Sequence, residues 1–184
     1  MPALLDRLQS RKQPRIRYRC PSCAKKHTGF PAAAYWLPDV IAELSEAERA
    51  ARVLTSSDLC SLDGSRYFIR CVLQVPVTAC DDGFEYGPWV EVAQSDFCRY
   101  VIACWGREPF GVAMSGRIAN GFPGDATTLG LSCDVVDSSD SSDRPLVRVT
   151  DAGHTLQVEQ NSGMTIERAI GLVGQMNGFV MIVD

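Results

Sequence analysis

Apolar and polar residues alternate along Ile16-Arg17-Tyr18-Arg19-Cys20, the period of a half-buried strand. Asp58 to Leu62 and Arg66 to Val77 are strand-like runs flanking Asp63-Gly64, a pair that predicts a two-residue hairpin turn. Phe84 to Val92 is a further aromatic and β-branched run, with Gly87-Pro88 marking a bulge or an edge. Phe110 to Ile118 and Thr128 to Val136 read as strands around the turn cluster Asn120-Gly-Phe-Pro-Gly124. Leu146 to Val149, Leu156 to Glu159 and Phe179 to Val183 add short strands. Helical signals are fewer. Ser45-Glu-Ala-Glu48 is a capping box ahead of the helix formers Ala47 to Leu54. Ser95 is expected to cap a helix with Phe97, Val101, Ile102 and Trp105 on one side. Thr165 to Met176 reads as a last helix that Gly178 stops.

Strand runs joined by a hairpin, with two or three helices interspersed, predict an α+β fold with a mainly antiparallel sheet and an N-terminal Cys-x-x-Cys knuckle. The expected division is a basic arm over 1–15, with one turn or two of helix around Leu4, Leu5 and Leu8, and one α+β domain over 16–184. Pro31 to Pro38 reads as irregular chain anchored by Tyr35 and Trp36, and Asp137 to Asp143 as a Ser/Asp-rich mobile loop.

With 184 residues, 46% of them hydrophobic and 22% charged, the chain has the composition of a folded globular protein. It is large enough to bury about 70% of its unfolded surface. No apolar run approaches the roughly 18–20 residues of a membrane helix, and Met1 to Leu8 lacks the order of a signal peptide. The expected location is cytoplasmic. Charge is uneven: residues 1–26 carry eight Lys/Arg and one acid, the remainder ten against 21. A sequence pI near 5.2 and the lack of a second basic stripe argue against nucleic acid as the partner. A protein partner is expected instead.

Eight cysteines in a chain without a secretion signal read as reduced thiols. Cys71, Cys98, Cys104 and Cys133 lie in apolar runs and are expected to behave as small hydrophobes. Cys20-Pro-Ser-Cys23 followed by His27 is different. Two sulfurs at that spacing reach one tetrahedral centre from a tight turn, and His27 offers a third zinc ligand. The competing readings are a turn with two free thiols and a redox disulfide; no helix-opening βαβ pattern follows to favour the disulfide. Cys60 and Cys71 are the candidates for a fourth ligand, with Cys71 taken into the expected set of Cys20, Cys23, His27 and Cys71. A two-residue turn would put Cys60 opposite Tyr67 and Cys71 on the same face, about 13 Å along at roughly 3.3 Å per residue. One of them at most could then join the ion.

Several stretches in collinear order resemble a bacterial family called domain of unknown function 2199. They are Tyr18-Arg-Cys-Pro-Ser-Cys23 with His27-Thr-Gly-Phe-Pro31, Ser57-Asp-Leu-Cys60 through Asp63-Gly64, and Phe68-Ile-Arg-Cys71 to Val75-Pro76. Trp89-Val90, Pro123 with Thr128-Leu-Gly130, Arg144-Pro-Leu146, and His154 before Val158-Glu-Gln160 complete the set. The resemblance covers roughly residues 16–175. It implies a bacterial protein of one domain and places the Cys20/Cys23/His27 cluster, Cys60 and Cys71 in the family pattern. Ala24 stands where the resemblance leads one to expect glycine, and Thr155 where it leads one to expect proline. The resemblance carries no activity.

Other chemistry is thin. His154 near Asp151 could be an oriented base, but no nucleophile in a recognisable setting accompanies it, and a structural histidine at a strand start is the better reading. Glu159 and Glu167 are expected on solvated faces, and Asp81, Asp82, Asp137, Asp140 and Asp143 lack the spacing of a calcium loop. Arg117 beside Asn120-Gly121 could bind an anion but reads better as a surface residue. Trp36, Trp89 and Trp105 read as packing residues, one of which, with Tyr35 or Tyr86, could instead anchor a partner. No catalytic residue is assigned. The expected function is a non-enzymatic, protein-binding module, a toxin-neutralising immunity protein being the concrete version, with structural zinc. The alternative is a metal-dependent enzyme or sensor built on Cys20, Cys23 and His27.

Overall fold

Thirteen short strands and five α-helices make up the described residues, which in this computed structural model are 16–138, 143–176 and 178–183. The expected arm over 1–15 and the middle of the Ser/Asp-rich loop lie outside them. The strands are β1 (Ile16–Arg19), β2 (Lys26–Thr28), β3 (Ala33–Ala34), β4 (Val53–Thr55), β5 (Leu59–Leu62), β6 (Arg66–Arg70) and β7 (Leu73–Val75). They continue as β8 (Phe84–Gly87), β9 (Trp89–Val92), β10 (Met114–Ile118), β11 (Ser132–Val136), β12 (Leu146–Val149) and β13 (Val180–Val183). The helices are α1 (Asp39–Ala42), α2 (Glu46–Arg52), α3 (Gln94–Gly106), α4 (Thr155–Ser162) and α5 (Ile166–Gly174).

The fold is α+β and mainly antiparallel, as the alternation implies, but with five helices where two or three are expected. A seven-stranded antiparallel sheet runs β12-β11-β10-β9-β6-β5-β4. A second sheet, β3-β8-β7, contains the parallel pair β3–β8. A third, β13-β1-β2, joins the N-terminal strands to the C-terminal one. Gly87-Pro88 is where the chain leaves β8 in one sheet and enters β9 in another, because proline cannot donate to a continuing ladder.

Alternation sorts the large sheet into two faces. Ile69, Val90, Val92, Met114, Ile118, Cys133, Val135 and Val147 point into the main core with Leu73, Phe84 and Tyr86 of the second sheet and Leu172 and Val173 of α5. Gly116 sits on this face where its row crosses from β9 to β11, and a Cβ there would come within 2.5 Å of Val90 Cγ1 and 2.8 Å of the Glu91 carbonyl. The opposite face carries a smaller core of Phe68, Trp89, Cys60 and Leu62 capped by Ile41 of α1. The buried Asn120 ties that region together. Its Oδ1 accepts from Trp89 N (2.8 Å), and its Nδ2 donates to Leu37 O (2.9 Å) and Asp39 Oδ1 (2.8 Å).

The structure departs from expectation at several places. Val53 and Leu54, expected at the end of a helix, belong to β4, and the run Arg66 to Val77 divides into β6 and β7 in different sheets. Asp63 and Gly64 do adopt positive φ (54° and 60°), and Ser65 N donates to Leu62 O. Ser65 is then bulged, so Leu62 pairs with Arg66 and Cys60 with Phe68 rather than Tyr67. Leu156 to Glu159 belongs to helix α4: Leu156 and Glu159 are both buried, a spacing of three that places them on one helical side. Helix α3 starts after Ala93 instead of Ser95, and it turns Tyr100 inward while Ile102 (72% exposed) and Trp105 (86%) face out. Trp36 is likewise exposed, leaving Tyr35 as the packed anchor, stacked 5.6 Å from Phe122.

Candidate metal centre

The tip of the β1–β2 hairpin gathers Cys20, Cys23 and His27, whose ligand atoms lie within 4.8 Å of one another. The hairpin register pairs Tyr18 with His27 and Arg19 with Lys26. Those pairs set both arms of the cluster. The turn between them closes through Ala24 N to Cys20 O (2.9 Å) and Cys20 N to Lys25 O (3.0 Å). Ala24 takes the left-handed conformation, φ 58°, that glycine would occupy without steric penalty. The tight turn survives the substitution that the sequence raises against it.

Inside this loop the backbone N–H groups of Cys23 and Ser22 are aimed at Cys20 Sγ, and they lower its thiol pKa, the Cys23 N–H most. Donors so placed stabilise a thiolate, the form that binds metal. Cys23 Sγ is 3.1 Å from His27 Nε2. The His27 ring stacks on Tyr18 at 5.2 Å and 21°, and Tyr18 packs against Phe179 at 5.7 Å. Gly178 lies against Pro21, with room for no side chain there: a Cβ would come within 2.9 Å of the proline Cβ. The knuckle is therefore braced by the C-terminal strand. Its outer side stays open, since Cys23 and His27 are exposed and Cys20 half-buried.

The structure brings three of the four expected ligands together and leaves out Cys71. That thiol is fully buried in the main core, contacts Ile69 O at 3.5 Å, and has its pKa raised well above the ordinary value by burial. Cys60 lies in the smaller core on the other face of the large sheet. The bulge at Ser65 is the reason the pair does not share a face. All eight cysteines and both histidines of the sequence are described, and only Cys20, Cys23 and His27 converge. The eight cysteines are free thiols; Cys133 is buried like Cys71, whereas Cys98 and Cys104 on α3 are exposed.

The remaining candidates resolve into structural roles. His154 caps α4, its Nδ1 accepting from Leu156 N at 3.1 Å. Nε2 is 2.9 Å from Thr127 Oγ1, whose hydroxyl donates to Asp125. Its side-chain acid neighbour is thus Asp125 (3.9 Å), while Asp151 meets it only through backbone. Thr127 spends its proton on a carboxylate, so this trio is a clamp and not a nucleophile with its base. Glu159, expected on a solvated face, is buried and paired with Arg168. Asp137 accepts from Phe110 N (2.9 Å) and Gly111 N (2.8 Å), and Arg117 donates to Gly130 O (3.1 Å). The Asp125–Thr127–His154 clamp was hidden from sequence reasoning, because Thr127 and His154 are 27 residues apart and carry no spacing signal.

A mainly antiparallel α+β protein with a Cys-x-x-Cys and histidine knuckle at the tip of a hairpin is the class that this fold and cluster define. Within that class the chain belongs to DUF2199, a family of uncharacterized proteins conserved in bacteria, whose model matches residues 19–164. The match includes all three knuckle residues. No curated protein and no solved structure matches the chain.

Proposed function

We propose that this protein is a cytoplasmic, zinc-bearing module that works by docking on another protein. The convergence of Cys20, Cys23 and His27 within 4.8 Å is the observation that carries the metal half of the reading. Two thiolates and an imidazole are a common zinc donor set, and the N–H donors at Cys20 favour the charged ligand. A zinc ion there would fasten the hairpin whose first strand bridges β2 and β13. Cys20→Ser should lower stability by several kcal/mol (on the order of 3) in urea unfolding, because metal binding is coupled to folding; a change of a few tenths would sink the metal reading.

Trp105 and Ile102 support the docking half. They are 86% and 72% exposed on one helix, and Cys98 and Val112 are exposed as well. Apolar surface concentrated this way favours a protein contact, with the tryptophan as its anchor. The excess of acids beyond residue 26 suits a basic partner, and neutralisation of a toxin is the concrete form of such a contact. Capture from the native host with wild type and Trp105→Ala tests it: the partner should bind the variant at least about tenfold more weakly. Equal capture would discard α3 as the docking face.

A metal-dependent enzyme or sensor is the second reading. Three protein ligands with solvent on the fourth side is the arrangement of catalytic rather than structural zinc.

A further inference from the structure

We infer that the metal bound at the knuckle takes its fourth ligand from outside the chain, and that this ligand is a thiolate. The inference rests on the zinc reading above. Every cysteine and histidine of the chain is described, and none besides Cys20, Cys23 and His27 reaches the cluster. A closed tetrahedral site of four cysteine or histidine ligands is therefore beyond the reach of one chain. The outer side of the cluster faces solvent, since Cys23 and His27 are exposed while Pro21 and Tyr18 pack against Gly178 and Phe179 on the inner side.

Charge then selects the ligand. A zinc ion with two thiolates and a neutral imidazole has no net charge. Beside the ligands the chain carries Arg19, Lys25 and Lys26, and residues 19–27 hold no acid. Arg19 and Lys26 face each other across the hairpin, and the Lys25 carbonyl closes the turn. Arg19 adjoins Cys20 and Lys26 adjoins His27 in the chain, so at low salt their local field favours an anionic donor over water or a neutral base. The donor set is soft, which favours sulfur over a carboxylate oxygen. The thiolate can come from a small-molecule thiol or from a cysteine on a docked protein. With zinc bound, such a thiol would give its proton to solvent and its sulfur would take the fourth position in place of water.

Cobalt(II)-substituted protein reports each step through its visible absorption, read at low ionic strength. The reagents are 2-mercaptoethanol, a decapeptide with one central cysteine, acetate and imidazole. The expected result is saturable growth of the sulfur-to-cobalt band with either thiol, tighter than with acetate or imidazole. Peptide binding tighter than 2-mercaptoethanol would identify a protein source; equal affinities would identify a small thiol. The double variant Lys25→Glu/Lys26→Glu should keep the initial cobalt band and weaken thiol binding by about fourfold. A cobalt band that no thiol alters would overturn the inference, as would imidazole or acetate binding as tightly as the thiols. A protein with no thiolate–cobalt band before any addition would instead refute the metal site itself.

Discussion

Ala24 carries the knuckle on a backbone conformation that L-residues adopt at a cost of roughly 1–2 kcal/mol. The conformation persists because two backbone hydrogen bonds close the loop around it. Replacing it with glycine removes the steric cost but adds unfolded-chain entropy worth about 0.4–1 kcal/mol. Ala24→Gly should therefore stabilise the protein by about 0.5–1 kcal/mol in chemical denaturation, without weakening metal uptake. A destabilised variant would mean that the left-handed turn is not the one adopted in solution. The knuckle was legible from the sequence because all its determinants fall within eight residues. Asn120 was not, beyond its place in a turn cluster. Its three partners come from residues 37, 39 and 89, and nothing local announces them.

Helices and strands were legible where the period ran long enough. The capping box at Ser45 and Glu48 forms both of its reciprocal bonds, and Thr165 caps α5 as its position ahead of an apolar run implies. Helix α4 was missed because four alternating residues fit either period and because histidine is an unusual cap. Its start depends on His154 Nδ1, so His154→Ala should cost about 1 kcal/mol, measured by thermal or urea unfolding. His154→Asn, which can still accept from Leu156 N, should recover most of that loss. If the two variants were equally unstable, the contact with Thr127 and not the cap would be the important one. The single bulged residue at Ser65 had the largest consequence. It sends Cys60 and Cys71 to opposite faces of the sheet, because a shift of one residue exchanges the faces. Neither thiol then reaches the knuckle, since each is buried in a separate core.

Across the molecule, burial divides the cysteines into inert and available groups. Burial pushes the Cys133 thiol up to about 12. A thiol whose folded pKa is raised gives stability that is fully present below its unfolded value of 9.0, and that stability is lost as pH rises toward 12. The native state holds the proton that the unfolded chain releases, so the slope is downward, at most about 1.4 kcal/mol per pH unit for this thiol. Cys133→Ala should be less stable at neutral pH and fall less steeply than wild type between about pH 9 and 10.5. Parallel slopes would mean that Cys133 titrates normally. Charge divides the molecule as well, with a cationic hairpin against an acidic remainder, and Ile102 and Trp105 of α3 are exposed. Composition showed the first of these. The second could not be read from the helix alone, because Ile102 and Trp105 look like core residues until the sheet takes Tyr100 instead.

Counting zinc by native mass spectrometry, on protein purified without chelators or affinity metals, addresses the knuckle most directly. One zinc per chain in the wild type, and none in Cys20→Ser or His27→Ala, is the expected outcome. A metal-free wild type that also takes up no zinc when it is supplied would contradict it.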